Sequence, residues 1–294
     1  MDLPKVKGKL EKDYPLKTLN TWKTGGRAEM VFWPQNMNEL TEMVIWSKIQ
    51  HKPLLFLGHG SNVLLPDKGF PGTVIVTTQL NGARWENEQV WTEAGYSLMR
   101  LAREAAERNC SGLEFACGIP GTVGAAIAIN AGAYGKEIGE LVRNVKVLTS
   151  EGEIKTLDRK EISFRYRKSS LQENNWIILE SSLRLTAAED GTAIKAKMKE
   201  FMAKRKETQP LEYPNAGSVF RNPQGDSAGR LIEQAGWKGK CVGDAQVSEK
   251  HANFIVNRGN AKSENILQLI QDIQADILMK YGVKLETEIR MITG

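Results

Sequence analysis

The residues able to do chemistry in this chain sit in a few short stretches. The densest is GLEFACGIPGTVGAAIAINAGAYG, Gly112 to Gly135, with glycine at 112, 118, 121, 124, 132 and 135 and alanine at 125, 126, 128, 131 and 133. Glycine loses more conformational freedom on folding than any other residue. So dense a cluster is costly unless φ > 0 turns or a close approach to the backbone require it. Bare N–H groups in such turns form concavities that suit a pyrophosphate. Pro120 fixes φ beside Gly121, so Ile119 to Gly121 reads as a rigid turn. A helix and turn packed tightly through small residues explains the run equally well. A second cradle is Gly58-His59-Gly60-Ser61-Asn62-Val63, entered from the apolar segment Pro53 to Leu57. The dinucleotide fingerprint G-x-G-x-x-G needs a glycine where Val63 stands, so a standard Rossmann site is not expected. No G-x-x-x-x-G-K-[ST] occurs, which removes P-loop chemistry. His59 reads as a backbone-bonded loop residue rather than a base.

Three further stretches carry polar groups. YPNAGSVFRNP, Tyr213 to Pro223, raises Ser218 on an Ala-Gly-Ser turn ahead of Val219 and Phe220. It lacks the G-x-S-x-G elbow, so a hydrolase nucleophile is not expected. A turn serine bonding its own backbone is the plain alternative. In Tyr166-Arg167-Lys168-Ser169, Lys168 and the preceding Arg165 read as surface charge, whereas the planar fork of Arg167 suits a carboxylate. In Leu285 to Arg290 the two-residue period of a strand puts Glu286, Glu288 and Arg290 on one face. That face is ordinarily solvated, and a functional role requires it to look into a cleft.

The elements that must position these groups follow from periodicity. Strands are expected at Ala28 to Trp33, Pro53 to Leu57, Thr73 to Thr78, Val90 to Glu93, Leu141 to Thr149 and Trp176 to Leu185. Helices are expected at Asn38 to Ile49, with Asn38 as N-cap, and at Leu98 to Ala106. Beyond about Leu185 the texture turns helical, with Ile194 to Lys204, Ala228 to Ala235 and Glu264 to Tyr281. The last has Ser263 as its expected N-cap, core positions Ile266, Leu269, Ile270, Ile273 and Ile277, and a stop at Gly282. Strands at Asn253 to Asn257 and Lys284 to Ile292 complete the set. A substrate-side domain is read from about residue 190 onward.

Composition bounds the classes. The 294 residues are 41% hydrophobic and 26% charged, as in ordinary globular proteins. Met1 to Tyr14 lacks an apolar h-region, so no secretory signal is expected. No stretch reaches the roughly 18 apolar residues of a membrane span. Cys110, Cys117 and Cys241 fall in no C-x-x-C spacing, which argues against disulfides or zinc and for a reducing cytoplasm. The net charge of +5 suits polyanionic ligands. The one dense basic run, Lys195 to Lys206, lies on a helical pattern and reads as a solvated face, not a nucleic-acid motif.

Taken together, GSNVL after a strand, EFACGIPGTVGAAIAINAGAYG, YRKS, AGSVFRNP, IEQAGWKG, VSEKHANFIVN and the terminal GVKLETEIR resemble the UDP-N-acetylenolpyruvoylglucosamine reductases. These are flavoenzymes of peptidoglycan precursor synthesis. The likeness runs colinearly from about Thr21 to Ile292. It implies an α+β fold with an FAD-binding domain of the p-cresol methylhydroxylase and vanillyl-alcohol oxidase type. Two α+β subdomains, 1–80 and 81–188, would form that domain, and 189–294 a C-terminal α+β substrate-binding domain. FAD would then lie against Gly58, His59, Gly60, Ser61, Asn62 and Val63 and against Gly118, Ile119, Pro120, Gly121 and Gly124. Asn130 and Gly132 would sit further along it. Cys117 stands where many relatives carry a small hydroxyl residue, and Ala125 where a further glycine is common. The short spacing from Ser169 to Trp176 resembles the type that lacks an extra substrate-capping loop.

The resemblance also implies a reaction: NADPH-driven, FAD-dependent reduction of the enolpyruvyl group of a UDP-sugar to UDP-N-acetylmuramate. An enol ether joined to a carboxylate accepts hydride at its terminal methylene carbon only if charge developing on the carboxylate is stabilised. Arg167 and Glu288 match the residues that stabilise the enolic intermediate, and Ser218 the one that protonates the adjacent carbon. Asn222, Lys238 and Arg290 fall where the family binds substrate. No metal, nucleic acid, membrane insertion or obligate protein partner is implied. Two alternatives stay open: a flavin oxidase of the same fold that passes electrons to oxygen, and a nucleotide-binding regulatory module that has lost turnover.

Overall fold

Strands Leu54–Leu57 and Phe70–Val76 pair in parallel, with Leu54 opposite Thr73 and Leu57 opposite Val76. They close a four-stranded sheet in the order Lys9–Pro15, Arg27–Trp33, Phe70–Val76, Leu54–Leu57. The computed structural model describes residues 3–292. Its chain divides into two compact units, each assembled from separate segments. The first comprises the described residues up to Glu11, then Met30–His59 and Gly72–Lys204. The second comprises Lys12–Glu29, Gly60–Pro71 and the chain from Arg205 onward. Lys9–Pro15, read from sequence as part of a polar lead, becomes a strand because the sheet supplies its backbone partners.

In the first unit, helix Met37–Ile49 buries Leu40, Met43 and Val44 beside Met30, Phe32, Ile75, Leu148 and Leu179. Its cap is Asn36, not the expected Asn38; the Asn36 side chain accepts from the Glu39 N–H at 3.0 Å. A five-stranded antiparallel sheet follows in the order Ile154–Asp158, Val142–Leu148, Ile177–Arg184, Gln89–Glu93, Ala83–Glu86. Helices Leu98–Glu107 and Val123–Ala128 share its core through Leu98, Leu101, Val123 and Ile127. Helix Thr192–Thr208, through Lys204, belongs to this unit and drives Phe201 into the same core. Lys195, Lys197, Lys199 and Lys204 along it are exposed or half-exposed, a solvated basic face.

The second unit is built on helix Ser263–Tyr281, which buries Ile266, Leu269, Ile270, Ile273 and Ile277 as its 3.6-residue period predicts. Gly282 ends it with φ +68, a left-handed C-cap. Helix Ala228–Gln234 and the three-stranded sheet Cys241–Val242, Ala245–Val247, Ile255–Asn257 cover that face. Two expectations are corrected. Ser263 is the first helical residue rather than the cap; the Asp67 carboxylate accepts from the N–H groups of Ser263 at 3.0 Å and Glu264 at 2.9 Å, where the helix dipole favours an anion. Lys284 to Ile292 is not one continuous strand. Only Arg290–Met291 is regular, paired in parallel with Val63–Leu64, while Thr287 forms an isolated bridge to Phe220. The segment bends because it changes partner between Thr287 and Arg290. Among the described residues no helix is long and apolar enough to cross a membrane, and no group of His, Cys, Asp or Glu could hold a metal ion.

Candidate active site

The two glycine-rich stretches meet at Gly58 and Thr122. A Cβ on Gly58 would lie 2.5 Å from the Thr122 hydroxyl oxygen, so only glycine lets the loops touch. Desolvation holds the His59 pKa below its ordinary value, against a smaller opposing pull from the Gly121 backbone. Gly121 has φ +153, a conformation closed to L side chains. The turn is sewn to its neighbours by Leu98 N–H to Gly121 C=O at 3.1 Å, Val123 N–H to Tyr96 C=O at 2.8 Å and Gly124 N–H to Ala94 C=O at 2.9 Å. A Cβ on Gly124 would stand 2.7 Å from that of Ala94. Close packing thus explains Gly58 and Gly124, and backbone conformation explains Gly121. Gly118 is buried, Ile119 half-buried and Pro120 exposed. Ala125 is exposed, so its methyl crowds nothing. The buried Cys117 thiol donates to the Met198 carbonyl at 3.7 Å, a bond a hydroxyl in its place could also make.

Asn130 and Arg167 form a second group in this unit. Strands Phe164–Arg165 and Lys168–Ser169 make a tight hairpin whose tip, Tyr166-Arg167, puts Arg167 at φ +55. Arg167 Nη2 donates to the Gly132 carbonyl at 2.7 Å, and its guanidinium lies 5.0 Å from the Tyr166 ring centroid. Asn130 is buried, and its carboxamide is committed within the protein. Nδ2 donates to Glu137 Oε2 at 2.6 Å and to the Arg165 carbonyl at 3.0 Å, while Oδ1 accepts from Gly139 N–H at 3.0 Å. Asn130 therefore supports the Arg167 hairpin through its base. Gly132 sits where a Cβ would be 2.3 Å from the Lys136 carbonyl, inside the hairpin Gly132–Ala133 and Lys136–Glu137.

In the second unit, Gly60 at φ +62 packs against Leu19, and its carbonyl accepts from Thr21 N–H at 3.1 Å. Ser61 and Asn62 are half-buried and Val63 is buried. Asn62 Nδ2 donates to the Glu288 carbonyl at 3.2 Å, and the Asn62 carbonyl accepts from Arg290 N–H at 3.1 Å. Glu288 N–H in turn donates to the Val219 carbonyl at 2.8 Å, and Arg221 N–H to the Glu286 carbonyl at 2.9 Å. Ser218 is thus next to a residue bonded directly to Glu288. It follows Gly217, at φ +76, and its half-buried hydroxyl makes no hydrogen bond to another described residue. A backbone-bonded turn serine is not what the geometry shows.

Asn222 Oδ1 accepts from Ala228 N–H at 3.1 Å and ties the end of this ladder to helix Ala228–Gln234. Lys238 pairs with Glu233 at 2.7 Å, and Arg290 is exposed at the Val63 pairing. Sequence reasoning missed Arg221, whose Nη1 lies 3.2 Å from Glu286 Oε2, although it adjoins Asn222 in FRNP. It also singled out no residue of VSEKHANFIVN, where a buried Asn253 holds the Ser218 segment.

Residues 117–124 contain no Asp or Glu, so the side-chain-poor turn Gly118 to Gly121 carries no negative charge to repel the pyrophosphate of a flavin dinucleotide and fits that group. Residues 28–158 match the family model of an FAD binding domain, and the chain is a flavoprotein of that α+β class with a separate C-terminal domain. Residues 209–292 match the UDP-N-acetylenolpyruvoylglucosamine reductase, C-terminal domain. The UDP-N-acetylenolpyruvoylglucosamine reductase of Pediococcus pentosaceus is 40% identical over 278 residues, 95% of this chain and 92% of the relative. That of Caldanaerobacter subterraneus is 42% identical over 285 residues, 97% and 94% of the two chains. The crystal structure of the Thermus caldophilus enzyme (MurB) matches with a TM-score of 0.81 at 34% identity, covering 98% of this chain and 99% of that one. The chain belongs to the UDP-N-acetylenolpyruvoylglucosamine reductase family.

Proposed function

We propose that the chain reduces the enolpyruvyl group of UDP-N-acetylglucosamine enolpyruvate to UDP-N-acetylmuramate in the cytoplasm, with NADPH as hydride donor. The observation that carries this reading is the ladder in which Glu288 N–H bonds the carbonyl of Val219, directly after a Ser218 hydroxyl with no described partner. Gly58 to Val63 and the turn Gly118 to Gly124, in the subdomains 1–80 and 81–188, would hold FAD, which when bound would supply the hydride for the substrate's methylene carbon.

The remaining work falls to side chains. Arg167, oriented by Gly132, offers a guanidinium to the substrate carboxylate as negative charge develops there. Glu288 stabilises the enolic form by accepting a hydrogen bond from its hydroxyl. Ser218 delivers the proton to the adjacent carbon. A hydroxyl is a weak acid, so this transfer needs a strongly basic, carbanion-like acceptor. Asn222, Lys238 and Arg290, in the domain 189–294, bind the UDP-sugar; the two cations suit its diphosphate.

The test is Ser218→Ala in the FAD-loaded enzyme. Oxidation of NADPH by the bound flavin should stay nearly intact, while reduction of the enolpyruvyl group falls by orders of magnitude. An equal fall in both half-reactions would remove Ser218 as proton donor. Reoxidation faster by air than by the enolpyruvyl sugar nucleotide would instead mark an oxidase.

A further inference from the structure

Asn253 is 4% exposed and touches the Ser218 segment at three points. Its Oδ1 accepts from Phe220 N–H at 2.9 Å, its Nδ2 donates to the Phe220 carbonyl at 2.8 Å, and its own carbonyl accepts from Val219 N–H at 2.8 Å. The carboxamide therefore does for Phe220 what an adjacent β-strand would do. The opposite edge of the same segment is occupied by Glu286 and Glu288, through Arg221 N–H to Glu286 C=O and Glu288 N–H to Val219 C=O. The residues that follow Ser218 are gripped from both sides, and one grip is a single residue, whose side chain holds Phe220 and whose carbonyl holds Val219.

The anchor is itself fixed. Asn253 N–H donates to His251 Nδ1 at 3.2 Å, and Phe254 closes the turn with N–H to the His251 carbonyl at 3.0 Å and C=O to Ser248 N–H at 2.8 Å. Only a carboxamide on this stem answers both groups of Phe220. Aspartate accepts but cannot donate when ionised, and serine or alanine leaves a buried N–H and C=O without partners. Phe220 is 1% exposed, so water does not substitute for the lost bonds.

We infer that Asn253 is a positioning residue for the proton-delivering step, setting the distance and angle between the Ser218 hydroxyl and Glu288. The inference rests on the roles proposed above for those two residues. A misplacement of about 1 Å at a reacting group costs on the order of a hundredfold in rate.

The experiment uses the FAD-loaded enzyme and its Asn253→Asp variant. Flavin content and single-turnover reduction by NADPH should stay within about twofold of the parent. Reduction of the enolpyruvyl group should fall roughly a hundredfold, with an increased solvent deuterium isotope effect because proton delivery has become limiting. Amide hydrogen exchange should quicken at Phe220 and Glu288. Unchanged exchange and turnover would overturn the inference. So would flavin loss with a parallel fall in both half-reactions, which marks a purely structural residue. If Asn253→Asp yields no folded protein, Asn253→Ser is read by the same criteria. Should Ser218→Ala leave enolpyruvyl reduction intact, the catalytic reading fails, while the exchange data still decide whether Asn253 clamps the segment.

Discussion

Arg167 Nη2 lies 2.7 Å from the carbonyl oxygen of Gly132, thirty-five positions earlier in the chain. One donor of a rigid five-donor fork is fixed on the backbone, and the plane of the guanidinium is fixed with it. The hairpin tip, at φ +55, places the Arg167 backbone where few residues other than glycine or asparagine rest comfortably. That conformation aims the side chain back across the Gly132 hairpin.

Arg167→Lys tests the planar fork. An ammonium is a point donor that cannot hold Gly132 and clamp a carboxylate in one plane. Enolpyruvyl reduction should drop by roughly a hundredfold, while flavin reduction by NADPH and the melting temperature stay close to the parent. Stopped-flow measurement of the two half-reactions checks this; a full-rate Lys variant would remove the clamp.

Asn130→Ala tests the support beneath the hairpin. The change strips three hydrogen bonds from a buried site and puts alanine at φ +49. A loss of about 3 kcal/mol in folding stability is expected, read from denaturant unfolding. Binding of the UDP-sugar should weaken as well, because Arg165, whose carbonyl Asn130 holds, begins the turn that carries Arg167.

Gly58→Ala tests the contact between the two loops. The new methyl would meet the Thr122 hydroxyl at 2.5 Å, and Thr122 also caps helix Val123–Ala128 by accepting from Ala125 N–H at 3.4 Å. Protein purified from this variant should carry less flavin per chain, measured by visible absorbance against total protein. Full flavin content would show that the loops can separate without loss of the cofactor.

His251 gives a pH dependence. Burial, and then the nearby Lys238, hold its pKa below the usual 6.5, against a smaller opposing pull from Glu233. The unfolded chain therefore binds the proton more readily than the folded one. Stability should be fully present above about pH 6.5 and decline as pH falls from there toward the depressed folded-state pKa. Protonation at Nδ1 would also remove the acceptor of the Asn253 N–H, 3.2 Å away. Melting temperatures across that range should fall less steeply for His251→Gln than for the parent.

By itself the sequence determined whatever depends on near neighbours. Helix Ser263–Tyr281 and its glycine stop follow from a 3.6-residue apolar period and a φ > 0 cap, and the missing third glycine after Gly60 excluded a Rossmann turn. The colinear motifs carried the family. Tertiary structure decided the partners of polar groups, because a hydrogen bond is indifferent to separation along the chain. Asp67 caps a helix 196 residues away, which displaced Ser263 from that role. Asn130 spends its whole carboxamide inside the protein, and the tail from Lys284 bends because it pairs first with Phe220 and then with Val63. Asn253 grips Phe220 from thirty-three residues away. Periodicity records which way a side chain faces; only the folded chain sets what meets it there.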